Sequence, residues 1–156
     1  HLRNRRRPAA NRPASPNRLK EIEYTRHKVE AGADYIVTQL FFDNRDYFDY
    51  VERLRLAGIS VPVVPGIMPV TSSSGMTRMA DLAAGSRFPA PLLRALSRAQ
   101  TEDGVRRVGT HWATAQVAEL MNAAVPGVHL YTLNNSRATM QICNNLGLDS
   151  YRLPGE

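Results

Sequence analysis

With 156 residues, 43% of them apolar, the chain is long enough to bury a core and reads as one soluble globular domain or part of one. Its formal charge of +6 raises the question of nucleic acid or anionic membrane, but six of its 20 Lys and Arg stand in residues 1–18, where there is no acid, and the rest balance the 14 Asp and Glu. The lone Cys143 excludes an internal disulfide and a multi-cysteine metal site, and no apolar run approaches the roughly 18 residues of a membrane span.

The basic start contains Arg3, Arg5, Arg6, Arg7, Arg12 and Arg18 together with Pro8, Pro13 and Pro16. With almost nothing apolar to bury, residues 1–18 are expected to form a disordered or irregular tail. No aromatic stands among the arginines to stack on a base, which argues against nucleic acid as a partner. The chain opens with His1 and no apolar segment follows the arginines, so no secretory signal is expected and the cytoplasm is the simplest compartment.

From Arg18 onward, amphipathic helical segments alternate with short apolar runs. Leu19, Ile22, Val29 and Ala33 fall near helical spacing, and Gly32 suits the helix end. Tyr35 to Phe42 is rich in β-branched and aromatic residues and predicts a strand buried on both faces. Asp43 and Asn44 offer an N-cap to a second helix with Tyr47, Phe48, Val51 and Leu54 on its apolar side and Gly58 at its end. A strand over Val61–Ile67 and a polar loop over Pro69–Gly75 follow. Met76 to Asn122 predicts two or three helices, punctuated at Gly85, Pro89 and residues 102–104, the longest carrying Val105, Val108, Trp112 and Leu120. Val128–Leu133 predicts a third strand, Asn134–Ser136 cap a last helix, and Gly147 ends it. Strands separated by helices require parallel pairing with right-handed crossovers, which gives an α/β class without choosing between part of a barrel and an open sheet.

In a parallel α/β barrel, chemistry gathers where the strands run out. Gln39 stands out there: an amide within a buried strand must be hydrogen-bonded, either to neighbouring backbone or to an amide-like edge of a ligand. Gly66, close to Pro65 and Pro69, suggests backbone lying against something flat, or a simple turn. His129 and Tyr131 share a strand face, where a satisfied core histidine is expected. No dinucleotide fingerprint, P-loop, H-E-x-x-H or nucleophile elbow occurs, and His27, His111 and His129 lack metal-ligand spacing, so no metal site is expected.

The strings KVEAGAD from Lys28, TQLFFD from Thr38, VPVVPGIMP from Val61 and HLYTLN from His129 closely resemble, in this order and at compatible spacing, the second half of methylenetetrahydrofolate reductases. That resemblance runs from about Leu19 to Leu148. It implies that residues 19–150 form the C-terminal portion, about three strand–helix units, of a (β/α)8 TIM barrel, with residues 151–156 as a tail. It further implies FAD as cofactor, NADH or NADPH as co-substrate, and reduction of 5,10-methylenetetrahydrofolate to 5-methyltetrahydrofolate on the way to methionine. Carried over by position, Lys28 matches a lysine at the FAD phosphates, and Glu21 stands where an FAD-binding aspartate is usual. Gln39 matches a glutamine over the flavin that contacts folate or nicotinamide. Asn135 stands where the family often has a substrate-binding arginine, and Arg137 could replace it only if the loop brought it round.

The family's catalytic acid lies on an early strand outside this sequence, so no catalytic residue is assigned and the segment by itself is expected to be inactive. Before Leu19 the family has an aromatic-Pro strand end, whereas here residues 1–18 are Arg-, Pro- and Asn-rich and are read as disordered or non-native. A catalytically dead or partner-binding segment is the alternative function, and nucleic-acid binding through the tail a weaker one. Folate is the expected small-molecule partner, a homo-oligomer is left open, and no membrane partner is expected.

Overall fold

The computed structural model describes residues 18–82, 87–133 and 136–148. The basic start through residue 17, the expected break at Gly85, the pair Asn134 and Asn135, and the end from residue 149 lie outside the described residues.

Three parallel strands, β1 (Ile36–Leu40), β2 (Val63–Ile67) and β3 (His129–Leu130), form one sheet in the order β1-β2-β3. Around them run α1 (Arg18–Glu30), α2 (Asn44–Leu56), α3 (Ser73–Leu82), α4 (Ala90–Ser97), α5 (Glu102–Asn122) and α6 (Arg137–Asn145). Parallel neighbours with a helical connection after each strand give the α/β class expected from the periodicity.

Local chemistry accounts for the helix ends. Gly32 at φ +102° and Gly58 at φ +77° adopt the left-handed conformation that closes α1 and α2. Asp43 caps α2 by accepting from the Arg45 amide, and Thr101 caps α5 by accepting from the Gly104 amide. α3 begins inside the segment expected to be a loop, because the Ser72 hydroxyl accepts from the Gly75 amide at 3.0 Å and Glu102 accepts from the Ser73 amide at 3.0 Å. Two of the amide donors left open at a helix start are thus satisfied by side chains.

One core lies under the sheet. Val63 and Ile67 of β2 meet Tyr47 and Leu54 of α2, Ala113, Val117 and Leu120 of α5 and Ile142 of α6, with Ile36, Leu130, Ile22 and Val29 at its margin. A second cluster gathers beyond the carboxyl ends of the strands, where Leu40, Phe42 and Val70 pack on Met79, Leu92, Leu96 and Val105. Asn44 and Gln116 stitch α2 to α5: the Asn44 amide donates to Gln116 O and to Glu119 Oε2, and Gln116 donates to Phe41 O and Asn44 Oδ1. Both amides are buried, and these bonds satisfy them.

Among the described residues, helices cover only one face of β1. Tyr35, Val37 and Gln39 alternate outward and are exposed, at 60% and 39% for Tyr35 and Val37, so the strand is not buried on both faces as expected. His129 is likewise exposed, which corrects its reading as a core histidine. Its ring instead meets Tyr131 edge-on at 4.5 Å between centroids.

Candidate functional site

The polar ends of β2 and β3 converge on a single knot of side chain and backbone. Gly66 N donates to Thr38 Oγ1 at 2.9 Å, and Tyr131 Oη donates to Thr38 O at 2.9 Å. Tyr131 N also donates to Ile67 O, extending the β2–β3 pairing by one bond. The Tyr131 side chain therefore spans from the edge strand across β2 to β1. Gly66 makes that possible: a Cβ there would stand 2.5 Å from Thr38 O and 2.6 Å from the Tyr131 ring. The flat object that Gly66 lies against is the tyrosine of the chain itself.

Beside this knot opens a cavity of about 220 Å³. Met68 and Met79 supply apolar wall, Ser72 and Thr132 supply hydroxyls, Tyr131 supplies an aromatic face, and Arg78 supplies charge. Its place at the strand ends is where a parallel α/β sheet collects ligands, since the loops there diverge and leave backbone groups unpaired. A second, more open depression is lined by Asp43, Asp46, Asp49 and Arg87. Its charges are spent on each other: Asp43 pairs with Arg45, Asp46 with Arg87, and Asp49 with Arg53. The Arg45 hydrogen bond holds the Asp43 carboxyl below its ordinary range.

Gln39 stands exposed on the uncovered face of β1, and among the described residues no hydrogen bond ties its amide down. The expectation of a buried amide is corrected, because among the described residues no layer covers that face. Lys28 and Glu21 are both exposed on α1, seven residues apart and hence on one side of the helix. None of Gln39, Lys28 and Glu21 lines the strand-end cavity. Asn135 is outside the described residues; Leu133, two positions before it, is exposed with φ +46°. Arg78 and Ser72 were not singled out by sequence, since both lie in a stretch with no strand pattern to mark a strand end. Tyr131 was noticed only as a neighbour of His129.

Burial raises the pKa of Tyr47 and Tyr50, but the Tyr47 hydroxyl donates to Val63 O and that of Tyr50 bonds Thr25 Oγ1, so both serve packing. Among the described residues no cluster of three His, Cys, Asp or Glu could hold a metal, and no helix is long and apolar enough to cross a membrane.

Comparison with known proteins locates this arrangement in a family. The family model for methylenetetrahydrofolate reductase matches residues 8–147, starting within the basic segment. Methylenetetrahydrofolate reductase (NADH) 1 of Arabidopsis thaliana is 40% identical over 129 residues, which is 82% of this chain and 22% of that protein. A probable NADPH enzyme of Caenorhabditis elegans is 32% identical, with 92% and 22% covered, and 5,10-methylenetetrahydrofolate reductase of Escherichia coli is 31% identical, with 87% and 46% covered. The chain thus spans about a fifth of the length of the eukaryotic relatives and about half of the bacterial one. Among solved structures, an uncharacterised protein of Clostridium thermocellum that binds two copies of 5-methyl-5,6,7,8-tetrahydrofolic acid shares the fold at a TM-score of 0.54. It is 14% identical, and the match covers 82% of this chain and 48% of that one. A family match over nearly the whole chain, carried by relatives from plants to bacteria, establishes that the chain belongs to the methylenetetrahydrofolate reductase family.

Proposed function

We propose that this segment forms the last three strand–helix units of a (β/α)8 barrel that reduces 5,10-methylenetetrahydrofolate to 5-methyltetrahydrofolate with NADH or NADPH, using FAD. The observation that carries the reading is the family match across residues 8–147. The reaction is placed in the cytoplasm and feeds methionine synthesis.

The residues present suit part of an FAD site. Lys28 is exposed and, among the described residues, makes no ion pair, so its ammonium is available to a diphosphate. The uncovered face of β1 offers Val37 as apolar surface and Gln39 as a paired donor and acceptor, which suits a heterocycle with an amide-like edge. When bound, FAD supplies the two-electron relay between nicotinamide and folate. Lys28 then anchors the phosphate end while Gln39 orients the substrate that approaches. Glu21 on the same side of α1 contributes to the cofactor's rim. Proton donation to the folate falls to an acid on the preceding half of the barrel.

The test is the visible absorbance of the protein carrying this segment, purified at full length, with and without Lys28→Ala. Bound flavin bands that weaken in the variant are expected. A colourless protein that also fails to take up added FAD would overturn the cofactor assignment.

A further inference from the structure

The first strand does not keep one register along β2. Ile36 and Val37 pair with Val63 and Val64, but Leu40 pairs with Gly66, so Thr38 and Gln39 together stand opposite Pro65 alone. The extra residue makes a β-bulge, a feature that re-aims side chains at strand ends. In an unbroken parallel ladder that starts with Ile36 N donating to Pro62 O, the Gly66 amide would reach Thr38 O. Here that amide goes to Thr38 Oγ1 at 2.9 Å, and Thr38 O turns instead to the Tyr131 hydroxyl at 2.9 Å. The bulge therefore takes its shape from two bonds outside the regular ladder, one of them from a residue that follows β3.

Tyr131 is itself held firmly enough to fix that carbonyl. Its amide donates to Ile67 O at 2.9 Å, its ring packs against the cluster that contains Leu40 and Phe42, and the absent side chain of Gly66 lets the ring cross β2. With backbone and ring both placed, the hydroxyl has little freedom left to lose when it bonds. The carbonyl it holds belongs to the peptide plane that joins Thr38 to Gln39, and because that plane is rigid, turning it turns the Gln39 backbone. Gln39 is exposed, and among the described residues no hydrogen bond orients its side-chain amide. Its direction is thus set through the backbone. We propose that Tyr131 is a positioning residue for Gln39: by holding Thr38 O it fixes the bulge from which the Gln39 amide meets its ligand. This rests on the reading of Gln39 as the residue that orients the folate.

The experiment measures kcat and KM for folate reduction, beside flavin retention and urea unfolding, in the full-length protein carrying this segment. Tyr131→Phe, Gln39→Ala, the double variant and Tyr47→Phe are compared with wild type. Tyr131→Phe keeps the ring and removes the hydroxyl alone, and is expected to lower kcat/KM for folate about threefold to tenfold with flavin retained. In the Gln39→Ala background the same change is expected to cost less than about twofold, because the side chain it orients is gone. Tyr47→Phe removes a similar bond, from a tyrosine hydroxyl to Val63 O, and should lower the unfolding midpoint without changing folate kinetics. Thr38→Val, which frees the bulge from the Gly66 amide, should show the same coupling to Gln39 and takes the place of Tyr131→Phe if that variant does not fold. Full additivity with Gln39→Ala overturns the positioning role and leaves the folate reading intact, as do wild-type kinetics in Tyr131→Phe. Absence of folate reduction in wild type, or unchanged folate kinetics in Gln39→Ala, removes the reading beneath it and Tyr131's role as well.

Discussion

Because Gln39 is exposed rather than buried, replacing it leaves the core untouched and isolates the ligand contact proposed for it. Gln39→Glu keeps the size, removes the donors and adds a charge. It is expected to weaken folate turnover about threefold to tenfold, the range of one hydrogen bond of about 0.5–1.5 kcal/mol, with flavin retained. Lys28→Ala should do the reverse, and steady-state kinetics beside flavin dissociation separates the two; a swapped pattern would reverse the assignments. Asp43 gives a stability test of a different kind. As N-cap of α2 its loss in Asp43→Ala should cost about 0.5–2 kcal/mol in urea unfolding at neutral pH. Its folded-state pKa is lowered by Arg45, so its contribution is complete above the ordinary carboxyl range and is lost as pH falls through that lowered value. Wild type and variant should therefore converge in acid, and a gap that persists there would contradict the assignment. At this scale the sequence made Gln39 visible as a polar residue in an apolar run, but not its exposure. Exposure depends on what covers the other face of the sheet, which no local pattern records.

The elements were legible where their ends are set by one or two residues. Asp43 and Gly58 bound α2 as expected, and Pro89 and Thr101 precede α4 and α5. The third strand was harder: β3 pairs only at Gly66–His129 and Ile67–Leu130, and Leu133 already has φ +46°, so the apolar run outlasts the strand. Being an edge strand, it has one partner and little to extend it. The packing of α5 was invisible beforehand because it depends on a residue with no side chain. Gly109 is buried on α5 with its Cα against the Val70 backbone, and a Cβ would collide with the Val70 carbonyl. Gly109→Ala is therefore expected to destabilise by about 1–3 kcal/mol despite the better helix propensity of alanine, because helix and backbone would have to part. Chemical denaturation measures it; an unchanged or raised midpoint would show that the contact yields freely.

On the scale of the whole molecule, three parallel strands form an open sheet on which, among the described residues, Tyr35, Val37, Gln39 and His129 are exposed. Parallel sheets are stable when both faces are covered, so this segment is proposed to function joined to further strand–helix units. The α/β class was legible from the alternation of helical and apolar runs and the family from four short strings, while the proposed closure of the sheet into a barrel was not, since no local pattern records it. The most direct test is NAD(P)H-dependent reduction of 5,10-methylenetetrahydrofolate, assayed for the 156-residue chain and for the same segment joined to the first half of a family barrel. Activity only in the joined protein, abolished when the acid of the first half is replaced, is the predicted result. Turnover by the 156-residue chain without any other polypeptide, or none in the joined protein, would contradict it.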